Sequence, residues 1–460
     1  MKKQVVIIGC VGVAIFGLAY KRHLVIDVSR LSPVVVASVK IPHTVDELIA
    51  IIRTSDTPIS FAGGKFSQGG QVAYPGGTVI DITHLNNIVA FDLDKKTITV
   101  QPGIRWRDIQ QYIDPHNLSV KVMQSYNDFT VGGSLSVNVH GRDPLGSLIK
   151  TVLSVKIVMP DGSVKTASRH EHSDLFAAAL GGYGLLGPII EVTLQLTDNQ
   201  KIERVIKVMS LSNYCHYVAK HIYHNPRVVF HNANLYPDDF EDVLAVTWYA
   251  TDKPLTIQDR LQKKGLYIKE KLEEQLLRRV SSLKKLRQII EPERLKKAEV
   301  VWRNYEMSYS VDSLEPLVRF PTSSILQEYF VPLHAIEPFI KMFKAIAHEH
   351  GVNMLNVSIR FVPADKETVL SYAPHDVYAL VCYINVPRSF SQQKERAWTQ
   401  ALIDAVLSHG GTFYLPYHLY ATPKQFKKAY PRFNEFLAIK KRYDPQEHFA
   451  NSLSKRYLDI

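Results

Sequence analysis

The segment FTVGGSLSVNVHG, residues 129–141, combines paired glycines with hydroxyl and imidazole side chains, and it decides how this sequence is interpreted. Two more glycine clusters lie in the same part of the chain, AGGKFSQGG at 62–70 and GGYGLLG at 181–187. Glycine has no Cβ, so it tolerates positive φ and lets backbone amides approach a bulky anion. Three such clusters in one domain-sized span predict a large phosphate-bearing cofactor.

Short β-rich runs alternate with turns from residue 33 to residue 197, and only a few helical patterns interrupt them. Strands are predicted at 78–81, 88–91, 97–101, 152–159, 164–167 and 189–196, and helices at 45–53, 106–113 and 174–180. This mixture favours an α+β fold with mainly antiparallel pairing over a repeating βαβ sheet. A chain of 460 residues also exceeds what one hydrophobic core usually serves, so we expect two domains.

Several motifs together resemble the vanillyl-alcohol-oxidase type of FAD-binding flavoproteins, in the branch of the aldonolactone oxidases and decaprenylphosphoryl-ribose oxidases. Beyond the three glycine clusters they are PHTVDELIAII at 42–52, VQPGIR at 100–105, DG at 161–162, DLF at 174–176, GGTFY at 410–414 and the closing segment at 443–451. The resemblance implies a PCMH-type FAD-binding domain of two α+β subdomains, with an α+β substrate-capping domain built on an antiparallel sheet. The expected divisions are an anchor at 1–27, the FAD domain at 28–200, the cap at 201–430 and a segment at 431–460 that returns to the FAD domain.

The same resemblance implies the residues that hold FAD. They are Ala62, Gly63, Gly64, Lys65, Phe66, Ser67, Gln68, Gly69 and Gly70 at the pyrophosphate, Thr130, Gly132, Gly133, Ser134, Ser136, Asn138 and His140 along the ribityl chain and flavin ring, Gly181, Gly182, Gly184 and Ile189 near the adenosine, and Tyr414 and Asn451 from the closing segments. The period-2 spacing of Ser134, Ser136, Asn138 and His140 predicts one face of an extended strand. Many relatives link the flavin to a histidine where this chain has Phe66, so we expect non-covalent FAD.

The relatives remove a hydride from a carbon bearing a hydroxyl, while a base takes the hydroxyl proton. Candidate catalytic residues are Glu328, Arg360, Tyr417 and His418. The decaprenylphosphoryl-ribose oxidases have a lysine where this chain has Tyr417, and this departure argues against transferring their substrate. We therefore expect an FAD-dependent oxidoreductase acting on a sugar, sugar lactone or polyol. The alternatives are a lipid-linked-sugar 2'-oxidase, a flavin-binding redox or scaffold protein without turnover, and a basic surface binder with a vestigial cofactor fold.

A basic stretch accounts for most of the formal net charge of +11. Residues 260–303 contain 14 Lys and Arg against six Glu and no Asp, with apolar residues at helical spacing. This pattern predicts amphipathic helix. Its basic face is open to three interpretations at this point: a solvated surface, a surface against an anionic membrane, or a nucleic-acid contact, which no recognition motif supports.

An uncharged run of sixteen residues, VVIIGCVGVAIFGLAY at 5–20, lies between lysine-rich flanks. As a helix it would be about 24 Å long, shorter than a hydrocarbon core of about 30 Å unless the lysines snorkel. No clear cleavage site follows it. We therefore expect an uncleaved membrane anchor with the main domain on the cytoplasmic side. The three cysteines are far apart and form no CxxC pair, so neither disulfides nor a metal site is expected.

Overall fold

The computed structural model describes residues 23–459 apart from 238, 281, 316–317, 319–320 and 389–391. The first half carries eleven strands and four α-helices among the described residues. The strands are β1 (His23–Val25), β2 (Val34–Val36), β3 (Ser38–Lys40), β4 (Ile59–Ala62), β5 (Thr78–Asp81), β6 (Ile88–Asp92), β7 (Thr97–Val100), β8 (Leu118–Val120), β9 (Val152–Val158), β10 (Val164–Ser168) and β11 (Ile189–Asp198). The helices are α1 (Val45–Thr54), α2 (Trp106–Ile113), α3 (Val131–Ser136) and α4 (Ser173–Ala179), with 3-10 turns at Asp114–His116 and Leu148–Thr151.

These strands form two main sheets with different strand directions. Strands β3, β5 and β4 form a parallel sheet in that order, whereas β10, β9, β11, β7 and β6 form an antiparallel sheet that β8 joins through β11. Strands β1 and β2 pair separately. The prediction of mainly antiparallel pairing is therefore confirmed, with the small parallel sheet as the exception.

The second half is built on one eight-stranded antiparallel sheet. Its strands are β12 (Lys201–Ser210), β13 (Val228–Leu235), β14 (Asp242–Ala250), β15 (Val300–Trp302), β16 (Thr322–Pro332), β17 (Asn353–Val362), β18 (Val377–Pro387) and β19 (Thr412–Phe413), in the order β15-β12-β14-β13-β17-β18-β16-β19. Its helices are α5 (Leu211–Tyr217), α6 (Ile268–Arg279), α7 (Ser282–Leu295), α8 (Arg303–Glu306), α9 (Ile336–Glu349), α10 (Gln393–Ser408), α11 (Pro423–Ala429), α12 (Phe433–Tyr443) and α13 (Ser452–Tyr457), with a π-helix at Val218–Ile222 and 3-10 turns at Val311–Leu314 and Leu333–Ala335.

The two faces of this sheet differ in chemistry because side chains alternate along each strand. On β16, Tyr329 packs its ring against Phe339 and Phe343 of α9, and Gln327 donates to Thr399 of α10. Glu328 lies between those two residues in sequence and points to the other side of the sheet. That second face carries polar residues on several strands and is covered by α6 and α7. We call it the polar face.

The closing segment of the chain packs against the parallel sheet. The amide of Ile59 donates to the carbonyl of His448 at 2.8 Å, and the amide of Ala450 donates to the carbonyl of Ile59 at 3.0 Å. Ser452 bonds to the carbonyl of Ala73 through both its amide and its hydroxyl. These contacts place the last helix beside the loop that follows β4.

Most predicted elements are confirmed. The α+β class is correct, strand β5 has the predicted bounds, and α1 and α2 match within one residue. The predicted anchor spans residues 1–27, of which 1–22 lie outside the described residues, and His23–Val25 within it form β1. Among the helices that the structure does describe, none has the length and apolar character needed to cross a bilayer.

Candidate active site and cofactor site

The loop after β4 has the features that a phosphate site requires. Among the described residues, no group accepts a hydrogen bond from the backbone amides of residues 63–67. Lys65 has a positive φ of 59°, and its ammonium group lies 3.1 Å from the carboxylate of Asp81. A Cβ on Gly63 would lie 2.4 Å from the Thr130 hydroxyl oxygen. Five consecutive unpaired amides beside a glycine backbone fit the pyrophosphate of a dinucleotide.

The last residues of this loop are hydrogen-bonded to strand β16 of the eight-stranded sheet and to residues 415–417, which follow β19. The amide of Gln68 donates to the carbonyl of Pro416, and its side-chain oxygen accepts from the amide of Leu326, both at 2.7 Å. Gln71 donates to the carbonyls of Leu415 and Tyr417 at 2.8 and 2.7 Å. The loop after β4, which we call the glycine loop, is therefore held by residues from both halves of the molecule.

The segment 130–140 is not the extended strand that its period-2 pattern predicts; that prediction is wrong. Residues Val131–Ser136 form α3 because Thr130 caps it, its hydroxyl accepting from the amide of Gly133 at 3.3 Å. Ser134 lies inside this helix, where its hydroxyl donates to the Thr130 carbonyl and accepts from the Trp106 indole. A local hydroxyl cap outweighs the strand pattern here, since Ser and Thr satisfy helix-end amides well.

The remaining residues of this segment therefore diverge. The Ser136 hydroxyl donates to the carbonyl of Gly133. Asn138 has a φ of 47°, and its side-chain amide donates to Asp365 and Thr368 at 2.8 Å. Only His140 continues into the polar face. Gly132 packs tightly, since a Cβ there would lie 2.6 Å from a carbon of Pro102.

The other predicted cofactor residues lie around the same region, mostly with structural contacts. Gly70 and Gly184 have positive φ, and Gly184 faces the ring of Phe61. Ile189 begins β11 and is buried. Tyr414 donates its hydroxyl to the carbonyl of Val137 at 2.8 Å. Asn451 caps α13 and donates to the carbonyl of Tyr183 at 2.9 Å, so its side chain is engaged by the protein.

A buried carboxylate forms the centre of the polar face. Oε1 of Glu328 on β16 lies 2.5 Å from Nε2 of His140, within hydrogen-bond distance, and the two side chains are only 3 and 2% exposed. Its second oxygen, Oε2, accepts from the hydroxyl of Tyr417 at 3.3 Å. Burial, followed by the nearby Glu328 carboxylate, raises the pKa of Tyr417 well above its usual range. Tyr417 is therefore a neutral hydrogen-bond donor and not a base at neutral pH.

Arg360 lies on the same face as Glu328. Both flank β18, because Glu328 pairs with Val381 and Arg360 pairs with Ala379, two residues along the same strand. Burial lowers the pKa of Arg360, and the Glu328 carboxylate opposes this shift. Among the described residues its guanidinium forms no ion pair, and its Nε has no hydrogen-bond partner. The sheet thus presents a carboxylate and an unpaired cation side by side.

His418 does not join this group in the described contacts. Its ring lies 5.0 Å from the ring of Tyr420, and neither nitrogen has a hydrogen-bond partner among the described residues. Burial lowers its pKa to about 3, so it is neutral at physiological pH. A buried neutral imidazole with two unpaired nitrogens can receive a hydrogen bond from a ligand or donate one to it.

Tyr372 and Phe330 are site residues that sequence reasoning missed. The Tyr372 ring stacks on Phe330 at 4.5 Å, and its hydroxyl donates to the carbonyl of Asn138 at 2.8 Å. Both rings pack beside His140, at 5.8 and 5.7 Å between centroids. Tyr372 lies outside every quoted motif and gave no signal. Phe330 follows Glu328 at strand spacing, which could have placed it on the same face.

Comparisons with known proteins agree with this geometry. A model of the FAD binding domain matches residues 33–168, and a model of D-arabinono-1,4-lactone oxidase matches residues 192–457. L-gulonolactone oxidase of Mus musculus is 24% identical over 89% of this chain and 91% of its own length. Decaprenylphosphoryl-beta-D-ribose oxidase of Mycolicibacterium smegmatis is 24% identical over 85% of this chain and 87% of its own length.

A third relative matches only part of the chain: mitochondrial L-galactono-1,4-lactone dehydrogenase 1 of Oryza sativa subsp. japonica is 32% identical over 30% of this chain and 24% of its own length. The lactone-oxidase model alone spans more than half of the 460 residues. FAD is the cofactor that these matches and the unpaired amides of the glycine loop support together. The chain belongs to the D-arabinono-1,4-lactone oxidase family and is an FAD-dependent oxidoreductase.

Proposed function

We propose that this protein oxidises a CH–OH group of a sugar, sugar lactone or polyol, with Glu328 as the base. The observation that carries the proposal is the buried Glu328 carboxylate, held through Oε1 by His140 and contacted at Oε2, within the described part of the chain, only by a long hydrogen bond from Tyr417. Bound FAD supplies the hydride acceptor, at flavin N5. The protein must then receive the hydroxyl proton, and Oε2 of Glu328 is the atom suited to take it.

His140 and Tyr417 have supporting roles in this proposal. The hydrogen bond with Nε2 of His140 fixes the orientation of the Glu328 carboxyl group. The neutral Tyr417 hydroxyl can rotate between Glu328 and a substrate oxygen, because its bond to Oε2 is long. Arg360, whose Nε has no hydrogen-bond partner among the described residues, provides a cation for a second oxygen of the substrate. Polyhydroxylated substrates offer neighbouring oxygens, which is why this set of side chains favours them.

An anaerobic titration of the purified flavoprotein tests the reaction. Addition of an aldonolactone or a polyol should bleach the visible flavin absorbance, and the organic product should be the corresponding ketone or aldehyde, or the enediol tautomer of a 2-keto lactone. A flavin-binding scaffold would keep its colour with every sugar derivative. A protein that is colourless when purified would contradict the cofactor itself.

We infer that FAD is held without a covalent bond. Phe66 has no nucleophilic atom, and its ring packs on Phe129 at 4.4 Å between centroids. The described cysteines, Cys215 and Cys382, lie outside the glycine loop and α3. Acid precipitation should therefore release all the yellow flavin into the supernatant. Flavin that stays with the pellet and migrates with the polypeptide under denaturing conditions would contradict this prediction.

Membrane association is also proposed, from the uncharged run at 5–20. The full-length protein should then remain in the membrane fraction at low salt. A full-length protein recovered entirely in the soluble fraction would contradict the proposal. Reoxidation of the bleached flavin by oxygen or by a quinone would identify the electron acceptor.

A further inference from the structure

Helices α6 and α7 cover the polar face with their charged sides, in the reverse of the usual orientation. The guanidinium of Arg278 donates to Glu274 at 3.1 Å and to the Tyr383 hydroxyl at 2.8 Å, and Arg278 is only 6% exposed. On α7, Arg287 pairs with Glu291 at 3.0 Å, and Glu291 accepts from Asn234 of β13 at 3.3 Å. The sides of these helices that a globular protein normally exposes are therefore directed inward.

Their apolar residues point outward as a consequence. Ile268, Leu272 and Leu276 follow each other at four-residue spacing on α6 and are 47 to 55% exposed. On α7 the exposed apolar residues are Leu286, Ile289 and Ile290, of which Ile289 is 68% exposed, and Leu266 just before α6 is 77% exposed. We call these seven residues the outer face. Exposed apolar residues in this number, on two helices that contact each other, mark a contact with a partner or a membrane.

Positive charge surrounds the outer face. Lys264, Lys269, Arg279 and Lys285 are all exposed, together with the acidic Glu270 and Glu273 of α6. Residues 260–303 as a whole carry eight more positive than negative side chains, including Arg278 and Arg303, which are buried. A second copy of the chain would bring two such surfaces together, and their like charges would repel each other. An anionic bilayer offers the opposite charge together with an apolar interior.

We propose that the outer face of α6 and α7 lies on the surface of an anionic lipid bilayer, with its leucines and isoleucines among the acyl chains and its lysines among the headgroups. This contact is independent of the reaction chemistry. It would place α6 and α7 between the polar face and the membrane surface.

Tryptophan scanning of the full chain tests the contact. The variants Leu272→Trp and Ile289→Trp are mixed with phosphatidylcholine vesicles with or without phosphatidylglycerol, in which some acyl chains carry bromine. Both variants should show quenched and blue-shifted emission with the phosphatidylglycerol vesicles. Val89→Trp is the matched control, because Val89 on β6 is 48% exposed and Leu272 is 47% exposed, and its emission should not change.

Charge removal provides the second arm. Lys269→Gln and Lys285→Gln should each weaken binding to the phosphatidylglycerol vesicles, about fivefold per charge removed, and leave flavin bleaching in solution unchanged. Vesicle binding without quenching at 272 and 289 would mean that residues 5–20 alone hold the protein, and would overturn the proposal. A blue shift without vesicles together with a doubled mass would assign the outer face to a second copy, and would overturn it as well. A persistently solvated face, with no vesicle binding at all, would do the same.

Discussion

Replacing Glu328 with glutamine is expected to lower kcat by about 10²- to 10⁴-fold, the contribution typical of a positioned base. The amide keeps the shape of the site, since its oxygen can still accept from His140 and its NH2 group can donate to the Tyr417 hydroxyl. What the variant loses is the ability to take a proton. The decrease should therefore appear in the anaerobic rate of flavin bleaching, with flavin content and melting temperature close to those of the unmodified protein.

Glu349→Gln is the matched control, because it makes the same chemical change at the exposed end of α9. Its kcat should be unchanged. Tyr417→Phe, which removes only the hydrogen bond to Oε2, should reduce kcat by less than Glu328→Gln. A Glu328→Gln protein that keeps a kcat similar to the unmodified protein would eliminate Glu328 as the base and direct attention to the neutral imidazole of His418.

Placing a methyl group on Gly69 is expected to produce a protein that is purified largely without flavin. A Cβ at this position would lie 2.7 Å from the carbonyl oxygen of Tyr417 and 2.8 Å from Nε2 of Gln71. The first contact is with backbone, so the loop itself must move, and such overpacking costs roughly 1–3 kcal/mol. The shift would also break the Gln71 bonds to the carbonyls of Leu415 and Tyr417. The ratio of flavin absorbance to protein absorbance measures the outcome.

Gly265→Ala is the control for the effect of a methyl group alone, because a Cβ there would approach nothing closer than 3.9 Å. It should bind flavin normally. Flavin binding by Gly69→Ala as tight as that of this control would contradict the prediction. It would mean that the hydrogen bonds between the glycine loop and residues 415–417 contribute little to cofactor binding.

Sequence patterns predicted the elements well where the local signal and the packing agree. Strand β5 and helices α1 and α2 are examples, and each lies within one residue of its predicted bounds. The segment 130–140 failed because its alternating polar residues imitate a strand, while Thr130 and Gly133 form a helix cap that period-2 counting does not include. Only the positions of the Thr130 hydroxyl and the Gly133 amide distinguish a helix from a strand in this segment.

Two features of the site depend on contacts between distant parts of the chain. Each of His140 and Glu328 was named as a candidate, yet they are 188 residues apart, and no motif joins them. The outer face is a similar case: periodicity predicted apolar stripes on the basic helices, but it carries no information about which way a helix turns. The inward direction follows from the polar residues of β13, β17 and β18, which lie elsewhere in the sequence.

The glycine loop that is attached at both ends has a consequence for folding. Its first part lies beside the parallel sheet, and its last part hydrogen-bonds to Leu326 and Pro416, so neither half completes the cofactor site alone. A ligand that binds only the native form lowers the free energy of that form, and here the gain is distributed over both halves. The two halves should consequently unfold in one thermal transition when flavin is bound. Without flavin, the apoprotein should show the separate transitions of the two halves.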